Sequence, residues 1–197
     1  MMDNLNYLFL KMQAVLLLVF GDRAGALSRF ERMLQLRPMD TYALASRAHL
    51  QAQGQNFAAA IVTLQQLTAA QPEDAAAWFN LGFVMQQAGR QLEAAPAFRQ
   101  ALALEPAMDR AWYGLALALM HARQFHDALH ALKKNTSLQP MSPYGWYQLA
   151  RVHQELGQTD EAQKVVAHLR QFEPKVAAQL ERESQLAPTT GVSHAAC

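Results

Sequence analysis

Apolar positions along this chain fall three and four residues apart, not two. In residues 75–108, Trp78, Leu81, Gly82 and Met85 share one stripe, because such steps stay on one face of a helix. No window alternates apolar and polar residues as a strand would, so an all-α chain is expected. The stripe then returns at a fixed interval. Trp78, Trp112 and Trp146 are 34 residues apart, and Leu10 and Leu44 hold the same slot upstream. Ala26, Ala60, Ala94, Ala128 and Ala162 keep the same spacing of 34. So do Pro38, Pro72, Pro106, Pro140 and Pro174. Three independent rulers with one period mark a tandem repeat.

Each slot has a physical task. The alanine is small enough for two helices to cross closely. The proline, lacking an N–H and fixed in φ, stops the helix before it. Gly21, Gly54, Gly89 and Gly157 fall at the turn between the two helices of a pair, where a positive φ is cheap only for glycine. Arg123 stands at that turn in the fourth repeat, so that connection is expected to differ locally. Pro96 lies within a second helix and is expected to bend it. Arg47 and Gln51 occupy stripe slots, where their stems can pack while their heads reach water.

Trp78, Leu81, Gly82, Gly89, Ala94, Phe98, Ala101 and Pro106 sit at offsets 4, 7, 8, 15, 20, 24, 27 and 32 of residues 75–108. That pattern resembles the tetratricopeptide (TPR) repeat. The resemblance implies a TPR solenoid, a right-handed superhelix of antiparallel helix pairs. Its repeats span 7–40, 41–74, 75–108, 109–142 and 143–176 after a short lead-in at 1–6. Pro143 suits the first turn of the last pair. Beyond Pro174, Val176, Leu180 and Ala187 make an apolar face and Glu181, Arg182, Glu183 and Gln185 a polar one. This predicts a capping helix over 175–187, closing a single domain of residues 1–187. Residues 188–197 lack periodicity and are expected to be a disordered tail.

The first helix, YLFLKMQAVLLLVF, is far more apolar than its stripe requires. A secretory signal could end at Ala24-Gly25-Ala26, but Asp3 precedes the first lysine, Lys11 interrupts the run, and cleavage would cut the second helix. A membrane span is not expected, since the run has about 14 residues against roughly 20 needed. Leu10, Ala14, Leu17, Gly21, Ala26 and Phe30 keep the repeat register, so the segment reads as the first helix of repeat one. An end repeat normally carries a polar outer face. The surplus Leu8, Val15, Leu18 and Val19 make residues 7–20 the expected surface for a second copy or a complex subunit.

Composition narrows the function. Lys and Arg total 17 against 16 Asp and Glu, with no basic stripe, so nucleic acid is not an expected partner. The single cysteine, Cys197, excludes an internal disulfide and fits a reducing, cytoplasmic setting. The arginine and alanine usage is that of a GC-rich bacterial genome. No phosphate loop, HExxH, nucleophile elbow or paired-carboxylate motif is present, so no enzyme and no cofactor are expected. His126 and His130 share a helix face four residues apart, but two ligands make a weak metal site, and they read as surface residues. His121 and His153 read as polar or packing residues.

The resemblance also implies a concave surface lined by the first helices. At about 100° per residue, offsets 2, 5, 9 and 12 lie opposite the packing stripe. They hold Tyr42, Ala45, His49 and Ala52; Ala76, Phe79, Phe83 and Gln86; Arg110, Tyr113, Leu117 and Met120; and Tyr144, Tyr147, Arg151 and Gln154. Aromatic residues with Arg are the types that anchor binding. The expected peptide-binding residues are Tyr42, Phe79, Asn80, Phe83, Arg110, Tyr113, Tyr144, Tyr147, Gln148 and Arg151. The family's carboxylate clamp needs Lys and Asn on successive inner faces. Ala45, His49, Phe79, Phe83, Tyr113 and Leu117 stand there instead, so no such clamp is expected. The reading is a non-catalytic adaptor that binds a protein or peptide. Its rivals are a secretion or assembly chaperone of TPR type, and a structural subunit docked through the apolar first helix.

Overall fold

A computed structural model describes residues 2–186; Ala187, the tail at 188–197 and Cys197 lie outside the described residues. Every element among the described residues is an α-helix: α1 (Met2–Val19), α2 (Arg23–Leu36), α3 (Thr41–Gln53), α4 (Phe57–Ala70), α5 (Ala75–Gln87), α6 (Gln91–Leu104), α7 (Asp109–His121), α8 (Phe125–Leu138), α9 (Pro143–Glu155), α10 (Thr159–Phe172) and α11 (Pro174–Leu186). From α3 onward, first helices have 13 residues and second helices 14, in the register that the rulers set. The helices gather into two compact units, one ending at Ala122 with α1–α7 and one starting at Arg123 with α8–α11.

The rulers mark packing contacts within each unit. All five period alanines are buried, so the paired helices cross at short range. Phe30, Leu64, Phe98, Leu132 and Val166, four residues further on, fill the space beside them. The tryptophan and proline rulers meet. The indole N–H groups of Trp78, Trp112 and Trp146 donate to the carbonyls of Pro72, Pro106 and Pro140 at 2.9, 2.9 and 2.8 Å. Each ring thus holds the loop that enters its own repeat. Asp22, Asp40, Asn56 and Asp74 cap the helices that follow them, each accepting from a backbone N–H of the first turn.

Several expectations are corrected. The turn residue with positive φ is always at offset 15: Gly21 (79°), Gln55 (59°), Gly89 (75°), Arg123 (57°) and Gly157 (70°). Gly54 is the C-cap of α3 at φ −79°, so repeat two places a glutamine, not its glycine, in the left-handed region. The turn at Arg123 has the same conformation as the glycine turns, not a different one. Its guanidinium lies 5.5 Å from the Phe125 ring. Helix α6 runs on through Pro96, which is exposed, so water can take the bond that its missing N–H leaves open. Residues 2–6 are helical and extend α1 to 18 residues instead of forming a lead-in. The Gln51 head does not turn to water: its Oε1 accepts from the buried Thr63 hydroxyl at 2.7 Å. Burial desolvates the Arg47 guanidinium and lowers its pKa, while Nη2 donates to Gln66 at 2.7 Å.

Helix α1 takes its place as the first helix of repeat one. Tyr7, Leu10 and Ala14 are buried against its neighbours. The Tyr7 hydroxyl donates to Asp40 Oδ2 at 2.7 Å, while Asp40 Oδ1 caps α3. Arg37 lies 3.9 Å over the Tyr7 ring and donates to Asn4 at 2.6 Å. In α11 Leu180 is buried and Val176 half-buried, Ala187 lies outside the described residues, and Ala177, which the apolar face did not include, is buried as well.

Candidate functional site

Helices α3, α5 and α7 form one wall in the first unit. Between α3 and α5 lies a cleft of about 180 Å³, with Ala45, His49, Ala52, Asn80 and Phe83 on its sides and Leu64 and Leu67 deeper in. The hollow exists because α3 carries Ala45, Ala48 and Ala52 there, whose side chains end at Cβ. Phe83 is 46 % exposed and stacks on Phe79, with centroids 6.0 Å apart and planes at 21°. Phe79 itself is only 8 % exposed. It lies between Phe83 and Phe98, at 6.0 Å from each, with the Arg110 guanidinium 4.9 Å from its centroid. Phe79 therefore braces the exposed Phe83 and Arg110 and offers little surface of its own. Asn80 is exposed, and Tyr113 and Leu117 are half-buried. The Gln86 amide donates to the Gly114 carbonyl at 2.8 Å, which joins α5 to α7. Tyr42 meets Phe30 edge-on at 5.9 Å and carries Lys11 Nζ 4.3 Å from its centroid.

In the second unit, α9 presents Tyr144, Tyr147, Gln148 and Arg151. Tyr144 is 70 % exposed. Tyr147 donates its hydroxyl to Glu183 of α11, and that bond, followed by burial, raises its pKa. Its phenol is thus committed to holding the cap. Arg151 stands 6.0 Å from the Tyr147 centroid. Gln148 Oε1 is buried without a hydrogen-bond partner within the protein.

Helical periodicity placed all ten predicted residues on first helices, but it could not separate exposed groups from braced ones. It also passed over the hollow. Three alanines on one side of α3 were the available signal. His126 and His130 are exposed on α8, and among the described residues no group of three or more His, Cys, Asp or Glu side chains could hold a metal ion. His153 is buried, with Nδ1 2.7 Å from Gln158 Oε1. Among the described residues no helix is long and apolar enough to cross a membrane.

Residues 17–81 match the family model for the tetratricopeptide repeat. The chain is a tetratricopeptide-repeat protein. In this TPR protein, residues 89–169 also match the model described as anaphase-promoting complex, cyclosome, subunit 3. No curated protein sequence matches it. Among solved structures, the MamA protein is similar at a TM-score of 0.78 and 20 % identity, covering 92 % of this chain and 95 % of that one. YrrB, described as a TPR protein with an unusual peptide-binding site, has a TM-score of 0.78 and 16 % identity, covering 86 % and 88 %. A tetratricopeptide repeat protein from Parabacteroides merdae has a TM-score of 0.79 and 15 % identity, covering 91 % and 74 %. At these identities the likeness speaks for the fold, which is that of a TPR solenoid. In the general sense that this fold carries, the chain is a protein–protein interaction module.

Proposed function

We propose that this TPR protein is a non-catalytic adaptor that holds a peptide segment of a partner against the wall of α3, α5 and α7. The observation that carries the reading is the alanine-lined cleft, open beside an exposed aromatic ring and an exposed amide. Phe83 supplies the apolar anchor. Asn80 bonds the ligand main chain, and Arg110 takes an acidic group or a backbone carbonyl. Tyr42 and Tyr113 flank them, and Phe79 holds Phe83 and Arg110 in position. On α9, Tyr144 and Arg151 offer a similar pairing, whereas Gln148, its Oε1 buried, is not open to a ligand there. Tyr147 is the brace there.

A random-peptide display selection on the purified chain, followed by fluorescence anisotropy, tests this. A selected peptide should bind Phe83→Ala or Asn80→Ala at least about tenfold more weakly, roughly 1.4 kcal/mol. Val62→Ala, exposed on α4, should leave binding unchanged. Equal affinity for all three variants, or no selected peptide, would overturn the reading.

A further inference from the structure

Helix α1 has a second apolar face that no other element among the described residues covers. Leu5, Leu8, Phe9, Met12, Val15, Leu16 and Val19 are 72, 55, 57, 65, 43, 57 and 75 % exposed. At 100° per residue they occupy an arc about 120° wide, centred on Met12 and opposite the buried Tyr7, Leu10 and Ala14. Phe20, just past the end of the helix, is 78 % exposed. Together these eight side chains leave on the order of 800 Å² of apolar surface in water. The largest apolar patch on an ordinary monomer is about 300–600 Å², whereas a standard interface takes about 800 Å² from each partner.

The spacing says what fits there. The seven positions are symmetric about Met12: 5 pairs with 19, 8 with 16, 9 with 15, and 12 with itself. A two-fold axis through Met12 would therefore set each of these seven residues of one α1 against another of the seven on its partner. Isologous interfaces need this self-complementarity. The face is also free of charge. Lys11 is outside the arc and lies over Tyr42, and Asn4 and Gln13 are bonded to Arg37 and Arg29. An anionic lipid surface would call for a row of cations along the helix, and a charged partner for opposite charges; the face has neither.

We infer that α1 is a homodimerisation helix, pairing antiparallel with α1 of a second copy about Met12. The inference is independent of the peptide-binding reading, since none of its residues lines that wall.

Sedimentation velocity on the full chain at micromolar concentration tests it. The wild type should sediment at twice the 22.0 kDa chain mass. Met12→Glu, which sets two carboxylates against each other on the axis, should halve that mass with helicity unchanged by circular dichroism. Cysteine crosslinking then reads the geometry in a Cys197→Ser background. Met12→Cys should crosslink readily on oxidation. Leu5→Cys should not, because antiparallel pairing holds the two sulfurs about 21 Å apart along the axis. A monomeric wild type, including one that instead floats with lipid vesicles or needs another protein to cover the face, would overturn the proposal. So would a dimer indifferent to Met12→Glu, or equal crosslinking at positions 5 and 12.

Discussion

A Cβ added at Gly114 would lie 2.5 Å from Phe98 Cζ, and one at Gly82 would lie 2.9 Å from Phe98 Cε1. The fully buried Phe98 ring is held between two helix backbones that approach it only because both residues are glycine. Alanine is ordinarily better in a helix by about 1 kcal/mol. Here overpacking, at about 1–3 kcal/mol, outweighs it. Gly114→Ala should therefore lower stability in urea unfolding by up to about 2 kcal/mol, and Phe98→Leu should relieve part of that loss in the double variant. The turn residues give the opposite sign. Gln55 holds φ 59°, a conformation costing a non-glycine residue about 1–2 kcal/mol. Part of that gain is lost to the extra freedom of glycine in the unfolded chain, about 0.5–1 kcal/mol. Gln55→Gly should raise the melting temperature by a few degrees at most, whereas Gly89→Gln should lower it. The register of 34 predicts position 55 for this turn, but the nearby Gly54 draws a reader who follows residue type alone.

At the scale of elements, the loop ahead of α3 ties α1 to the second repeat through Tyr7 and Asp40. Burial, then the bond to Asp40, pushes the Tyr7 phenol up from 10 to about 12. A raised pKa means that the folded state keeps the proton longer. The associated stability is complete below pH 10 and is lost as the pH rises through about 12. Tyr7→Phe should be less stable than wild type at neutral pH, where it lacks the bond. Between pH 10 and 12 the gap should narrow as wild type loses its advantage. Chemical denaturation along that range measures it, and a gap independent of pH would refute the role. The helices themselves were legible because their signals are local: three- and four-residue stripes, and prolines after second helices. The Trp–Pro bonds were not legible as bonds, although both rulers were, because spacing does not say which donor reaches which carbonyl.

For the whole molecule, five helix pairs and a cap follow from periodicity, since each repeat must bury the same face against the next. The candidate site was legible to the level of its helices. Offsets 2, 5, 9 and 12 pick out the sides of α3, α5, α7 and α9 that carry the proposed site. They could not tell that Phe79 and Tyr147 would be braced by Phe98 and Glu183, because those contacts join residues 19 and 36 positions apart. The same holds for the outer face of α1. Its surplus leucines and valines stand out in the sequence, but a buried helix and an exposed one read alike there. Sequence by itself determined the period, the helices and the cap, because these depend on spacing along one chain. Only the tertiary structure decided which candidate residues are exposed, which residue takes each left-handed turn, and that one face of α1 lies bare among the described residues. Those depend on what neighbouring helices bring into reach.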